Sequence, residues 1–192
     1  ACPTSPVLEG PEGPTTLTGV RMTRRFLETL GVAPILGRAA FTREEDRHGG
    51  PLAVILTFEA WRLRFSEDPG VVGKAFTVDG KSARIVGVLP RGFQAPTPRL
   101  RRAEVFVPLA LTPGEREERG ANFEVVGRLA RGVSREQAGS ELRGLASALG
   151  WGRVSLRVDA LSEGLRRPYL PMLSLLSAAV GLLVLIACAN VS

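Results

Sequence analysis

The chain has 192 residues, of which 44% are hydrophobic and 23% charged, an ordinary globular composition that excludes a wholly disordered chain. The length corresponds to about one domain and suffices for a buried core. The net charge is +6, but most arginines alternate with acidic residues, so we predict no nucleic-acid-binding face. The nearest basic cluster, in a Pro-flanked loop, is interpreted as solvated surface: Arg99, Arg101 and Arg102.

Charge is absent from the C-terminal end of the chain, since residues 168–192 contain no Asp, Glu, Lys, Arg or His. A helix of about 20 apolar residues spans a membrane, and residues 172–189 nearly supply that length. We therefore expect a C-terminal transmembrane helix within 168–192, with Tyr169 at the interface. The alternative is a buried helix in a soluble core. The charges that flank this run do not settle its orientation.

The first half of the chain is predicted from local signals. Residues 1–19, rich in Pro, Thr and Gly, are expected to form an irregular or weakly paired lead-in. A short helix around Phe26 should stop at Gly31, and residues 34–40 should form a loop. Thr42 and Glu45 have capping-box spacing, which predicts one helical turn.

The middle of the chain is predicted to alternate strands, a helix and loops. Residues 52–56 form an apolar strand, and Thr57 should cap a helix with an aromatic face. Asp79 and Gly80 suit a two-residue hairpin turn between residues 75–78 and 81–88. The remaining expectations are a Pro- and Arg-rich loop at 90–103, a strand at 104–108 and a mobile, charged segment at 112–121.

The last part of the soluble region predicts a β-α-β unit. Residues 122–129 and 153–161 are expected to be strands, and the helix between them starts with a capping box from Ser134 to Gln137 and closes at Gly150. The apolar stripe of this helix is expected to pack on the sheet, with Leu142 buried at its centre. The fold class is therefore α+β, with a layered mixed sheet. The stripe consists of Ala138, Leu142, Leu145, Ala146 and Leu149.

No catalytic or metal-binding pattern was found in the sequence. A nucleophile elbow, a P-loop and a dinucleotide-binding turn are all missing. Three carboxylates at residues 44–46 are interpreted as helix-start charges rather than a cation site, and His48 has no nucleophile or orienting carboxylate that we can place beside it. Cys2 and Cys188 are not expected to form a disulfide. We expect no enzyme activity, no cofactor and no metal.

Several longer motifs occur in a specific order. The chain carrying them resembles the MacB-like periplasmic core domain that precedes the FtsX-like permease region of bacterial ABC-transporter permeases, in particular the acidobacterial type. The resemblance covers about residues 20–192. The motifs lie at residues 26–38, 53–56, 61–65, 68–73, 78–80, 85–93, 105–109, 126–134 and 181–191.

This resemblance implies a porter-like, non-catalytic domain over residues 20–167. It places residues 1–167 outside the cytoplasm, in the periplasm, and anchors them in the inner membrane by residues 168–192, the truncated start of the permease region. It implies a role in export or mechanotransmission. The implied partners are a separate ATP-binding subunit, the remaining permease helices and a second permease copy, with a periplasmic adaptor or outer-membrane channel as a further candidate. We expect the chain to be part of a longer permease.

Two other classes of function were considered. The first is a single-anchored extracytoplasmic sensor or adaptor, which would bind ligands without coupling to ATP. The second is a membrane-anchored hydrolase, which would need a convergent nucleophile or acid/base site that the sequence does not show. The reading frame beyond residue 192 would separate the permease from the sensor.

Overall fold

A mixed sheet of nine described strands organises the first of two compact units, residues 1–128, while residues 129–192 form the second. The computed structural model describes residues 2–4, 7–10, 13–78, 80–97, 100–117, 123–150, 158–161, 177, 180 and 181. The strands are β1 Cys2–Thr4, β2 Val7–Gly10, β3 Gly13–Thr16, β4 Gly19–Met22, β5 Leu36–Gly37, β6 Leu52–Leu56, β7 Ala75–Val78, β8 Lys81–Val88 and β9 Val105–Pro108. The helices are α1 Phe26–Leu30, α2 Phe58–Phe65, α3 Pro113–Glu117 and α4 Arg135–Ala148, with a 3₁₀ turn at Pro69–Val71.

One long hairpin joins the two sides of the sheet. Cys2 pairs with Arg21 and Val7 pairs with Thr16 in the same antiparallel register, so β1 and β2 form one arm and β3 and β4 the other. At its base, β4 lies parallel to β9. At its tip, β2 lies antiparallel to β7, on the far side of the central strands β6 and β8. Of the two expectations for residues 1–19, the irregular one is therefore wrong for the described residues.

The two faces of the central strand β6 bury different parts of the chain. Val54 and Leu56 point to the face covered by α2, and Ala53 and Ile55 point to the opposite face. The α2 face also packs the half-buried aromatic rings of Trp61, Phe65 and Phe76. The opposite face is covered by α1 and by the segment between β8 and β9. The described core confirms the predicted α+β class with a mixed sheet.

Most local signals of the sequence are confirmed. Helix α1 stops at Gly31, which has a φ of 75°. The side chain of Thr57 accepts a hydrogen bond from the N–H of Ala60 at the start of α2. Strands β6, β7 and β8 have the predicted bounds, and β9 begins one residue later than predicted. The predicted loop at residues 34–40 is wrong in part, since β5 lies within it, and the charged segment at 112–121 contains helix α3.

Glycine is required where β5 crosses β8. The two strands are antiparallel, with Gly37 opposite Gly87. A Cβ atom on Gly87 would overlap the carbonyl oxygen of Arg38, and one on Gly37 would overlap that of Val86. Gly37 also has a φ of 66°, in the left-handed region that favours glycine. Both glycines belong to the sequence motifs at residues 26–38 and 85–93, and this crossing gives a structural reason for their presence.

The second unit contains α4, which begins with the predicted capping box but buries only part of the predicted stripe. Gly139 and Ala146 are the buried residues of this helix, whereas Leu142 is 43% exposed. Val158 approaches Gly139 so closely that a Cβ atom there would be in contact with it. The chain therefore packs on the small residues of α4 and leaves the leucines outside. The predicted burial of Leu142 is wrong.

The predicted β-α-β unit is not found in the described residues. Residues 123–129 have no strand, so its first strand is wrong. The second was predicted at residues 153–161; residues 153–157 lie outside the described part, and residues 158–160 are not in a strand. The predicted transmembrane helix also lies outside it, except for three residues in helical backbone, Ser177, Val180 and Gly181. Among the residues that can be described, no helix has the length and apolarity to cross a membrane.

Candidate functional site

The carboxylates at residues 44–46 stabilise backbone turns. The N–H of Thr42 donates to Glu45 Oε2 at 2.7 Å, and the N–H of Glu45 donates to Thr42 Oγ1 at 3.2 Å, so the predicted capping box is formed. The other carboxylate oxygen of Glu45 lies 2.5 Å from Arg38 Nη2. Asp46 Oδ1 accepts from the N–H of Ala110 at 3.2 Å. Glu45 and Asp46 are therefore engaged in hydrogen bonds that hold backbone segments in place.

The most elaborate polar arrangement lies where β4 and β9 end, and we call it the latch: Arg21, Asp46 and Glu115. Arg21 Nη1 lies 2.6 Å from Glu115 Oε1, and Nη2 lies 3.2 Å from Oε2, a bidentate ion pair. Arg21 Nε also donates to the carbonyl oxygen of Leu109 at 3.0 Å. The latch thus attaches the chain after β9 to the end of β4.

Backbone geometry explains why Glu115 reaches Arg21. After β9 the chain turns at Ala110, whose φ is 38°. Helix α3 then starts at a second capping box, in which the N–H of Glu115 donates to Thr112 Oγ1 at 3.1 Å and the N–H of Thr112 donates to Glu115 Oε2 at 2.9 Å. The turn and the cap together direct the carboxylate toward β4.

The electrostatics of the latch keep Glu115 ionised. The guanidinium of Arg21, followed by the N–H of Thr112, lowers the pKa of Glu115 from 4.5 to about 2. A carboxylate that remains ionised down to this pH accepts hydrogen bonds but is a poor general acid or base near neutral pH. The arrangement can therefore fix the position of a chain segment.

Stability should depend on the ionisation of Glu115. Because the pKa is lowered in the folded state, the ion pair stabilises the fold fully above pH 4.5 and loses this effect as the pH falls toward about 2. We expect Glu115→Gln to lower the thermal midpoint most above pH 4.5 and to match the wild type near pH 2. Thermal unfolding monitored by circular dichroism across this range measures the difference. Glu117→Gln, on the same helix, is the control, and an equal pH profile for both variants would contradict the latch.

The other residues singled out from the sequence do not converge. His48, Arg101 and Arg102 are exposed, while Arg99 and Cys188 lie outside the described residues. Trp61 Nε1 donates to the carbonyl oxygen of Asp68 at 2.9 Å, and its ring packs on the core as predicted. Within the described ranges, no group of three or more His, Cys, Asp or Glu side chains could hold a metal ion.

Sequence reasoning missed the long-range polar contacts. Arg21 and Glu115 are 94 positions apart, so no local spacing links them. The same holds for Arg128, whose Nη2 donates to the carbonyl oxygen of Thr29 at 3.0 Å. The only local signal was the capping-box spacing of Thr112 and Glu115, inside a segment that was expected to be mobile.

A mixed sheet covered on both faces defines a layered α+β scaffold. The chain belongs to the MacB-like periplasmic core domain family, whose model matches residues 4–145. The resemblance inferred from the motifs is thereby confirmed, and the match begins inside the segment expected to be a lead-in. No curated protein matches the chain.

Solved structures of three related domains are similar to the chain. The periplasmic region of MacB from Actinobacillus actinomycetemcomitans has a TM-score of 0.53 and 15% identity, covering 77% of this chain and 64% of that one. A domain of a putative permease protein from Porphyromonas gingivalis has a TM-score of 0.49 and 18% identity, with coverages of 77% and 65%. The extracellular domain of the ABC-type transporter YknZ from Gram-positive bacteria has a TM-score of 0.41 and 18% identity, with coverages of 56% and 51%. The chain thus spans between half and two thirds of these structures.

Proposed function

We propose that the chain is the extracytoplasmic domain of an ABC-transporter permease subunit and that it couples a separate ATPase to export or mechanical work across the inner membrane. The observation that carries this proposal is the family match over residues 4–145. The proposed partners are the ATP-binding subunit, the remaining permease helices and a second permease copy. A periplasmic adaptor or outer-membrane channel is a further proposed partner.

In this proposal the domain is a mechanical part and has no catalytic activity of its own. Two features support such a role. The sheet of unit 1 is stabilised at both sides by one hairpin, and the chain leaving β9 is fixed by the bidentate ion pair of Arg21 and Glu115. Both features favour a body that keeps its shape when it is pulled. ATP would be hydrolysed by the partner subunit.

Topology is the first test. In the full permease, with Cys2 and Cys188 replaced by Ser, a Leu63→Cys variant offers a thiol at a position of α2 that is 74% exposed. A membrane-impermeant maleimide should label it in intact spheroplasts as completely as after lysis. The same background without Leu63→Cys is the control. Labelling that requires lysis would overturn the extracytoplasmic assignment.

Coupling to ATP is the second test, and it separates the permease from the sensor alternative. The full permease and its ATPase are reconstituted in vesicles, and labelling rates are measured at single cysteines in units 1 and 2 with and without ATP. We expect ATP to change the rate at one or more positions only when an active ATPase is present. Identical rates in all conditions would contradict coupling and favour a domain that works without ATP.

A further inference from the structure

The segment that ends unit 1 is attached to it in an unusual way. Residues 123–128, which we call the strap, are described throughout but contain neither helix nor strand. Their side chains alternate in exposure, since Glu124 and Val126 are half-buried whereas Phe123 and Val125 are exposed. The strap is therefore extended along unit 1 with one side toward it. Unit 1 ends at the last strap residue, Arg128.

Side chains provide the described attachments of the strap. Thr97 Oγ1 donates a hydrogen bond to Glu124 Oε2. The side chain of Val126 packs against the core face that contains Phe26 and Phe106. Arg128 Nη2 donates to the carbonyl oxygen of Thr29 at 3.0 Å. This carbonyl lies in the last turn of α1, where helix carbonyls lack a partner within the helix.

This mode of attachment differs from that of the sheet strands. Each of those strands is fixed by a ladder of backbone hydrogen bonds to its neighbours, and such ladders open together with the core. Among the attachments described for residues 123–128, release would break the side-chain hydrogen bonds of Glu124 and Arg128 and expose the half-buried side chain of Val126. Segments with few buried contacts and no backbone ladder open at a lower free energy than the core.

We propose that the strap dissociates from unit 1 and rebinds as one piece while the sheet of unit 1 stays folded. The hydrogen bond from the Arg128 side chain to Thr29, which we call the pin, holds the strap in its bound position. When undocked, its residues can extend to about 20 Å, so the chain leading into the second unit lengthens without unfolding the first. The further idea that a transporter uses this extra length of chain during its cycle rests on the proposed function. The undocking itself does not, and it is measured on the chain alone.

The experiment measures the accessibility of Val126 in the 192-residue chain. Cys2 and Cys188 are replaced by Ser, and the labelling rate of Val126→Cys by a thiol reagent is measured at increasing sub-denaturing urea. Val125→Cys, at an 89% exposed position, gives the rate of a free thiol, and Val54→Cys, at a 1% exposed position in β6, gives the rate through global unfolding. We expect an intermediate rate at position 126 that hardly changes with urea, since little surface is exposed, and a steep increase at position 54.

The pin is tested in the same background. Arg128→Ala should accelerate labelling at position 126 about fivefold, which corresponds to the loss of a hydrogen bond worth about 1 kcal/mol. Arg131→Ala, an exposed arginine three residues further on, should leave the rate unchanged. Equal urea dependence at positions 126 and 54 would show that the strap opens only with the core. A free-thiol rate at position 126, or no effect of Arg128→Ala, would likewise overturn the proposal.

Discussion

Gly87→Ala is expected to destabilise unit 1 by about 3 kcal/mol, the upper end of the usual cost of overpacking. The added Cβ atom would overlap the carbonyl oxygen of Arg38. Because this obstacle is a backbone atom of the residue that directly follows β5, no flexible side chain can move aside to make room. Relief requires β5 to separate from β8, which also disturbs the hydrogen bonds that the N–H groups of Ile35 and Arg38 donate to the carbonyl oxygens of Val88 and Val86. Urea unfolding of the variant and the wild type gives the difference in the free energy of unfolding.

A second glycine provides the matched control. Gly114 lies in helix α3, and a Cβ atom built on it has no heavy atom within 4 Å. Alanine has a higher helix propensity than glycine by up to about 1 kcal/mol, so Gly114→Ala should be neutral or slightly stabilising. If Gly87→Ala lowers the free energy of unfolding and Gly114→Ala does not, the close packing of β5 on β8 is established. A loss below about 1 kcal/mol for Gly87→Ala would mean that β5 does not pack on β8 as described.

Phe106→Ala is expected to cost about 3–5 kcal/mol, because truncation of a buried aromatic residue loses transfer free energy and leaves a cavity. Phe106 is 0% exposed and lies in β9, between β4 and β6. Its ring meets that of Phe93 edge to face at a centroid distance of 6.0 Å. The strands on both sides limit how far the site can collapse. Denaturant melts with tryptophan fluorescence measure the change.

The control for this variant is Leu63→Ala on the outer face of α2. Leu63 is 74% exposed, so little apolar surface is lost, and the change should stay within about 0.5 kcal/mol. Comparable effects of Leu63→Ala and Phe106→Ala would mean that the assignment of inside and outside in unit 1 is wrong.

Elements that are specified by neighbouring residues were predictable. The strand at residues 52–56 is apolar throughout because it is buried on both faces, and Thr57 is an N-cap in sequence and in structure. The hairpin of β7 and β8 follows from the turn residues between them. Each of these signals occupies fewer than about a dozen residues, and no distant part of the chain is needed to interpret it.

Features that depend on distant residues were not predictable. The pairing of β4 with β9 and the ion pair of Arg21 with Glu115 join parts of the chain that no periodicity connects. The strands within residues 1–19 were not predicted, because Pro and Gly lower strand propensity. The hairpin that they form is nevertheless stabilised by pairing with strands far along the sequence. The opposite error occurred at residues 123–129, where a strand-like composition was found without a strand.

Helix α4 shows the limit of amphipathic patterns. The capping box and the end near Gly150 were predicted correctly. The packing face was predicted only in part, because Ala146 of the predicted stripe is buried, whereas its leucines are exposed and Gly139, which lies outside the stripe, is buried. Small residues allow a closer approach of two backbones than leucine does, and a hydrophobicity pattern carries no information on such proximity.

The long hairpin also sets an order for folding. Its base pairs with β9 and its tip with β7, and both strands are synthesised long after the hairpin itself. The hairpin can therefore complete its pairing only after the middle of the chain has been synthesised. These pairings between distant residues raise the contact order, and a high contact order slows folding. During emergence from the ribosome, strands β1 to β4 would remain incompletely paired until β9 had appeared. The sheet of unit 1 is thus completed late, when β4 of the hairpin pairs with β9.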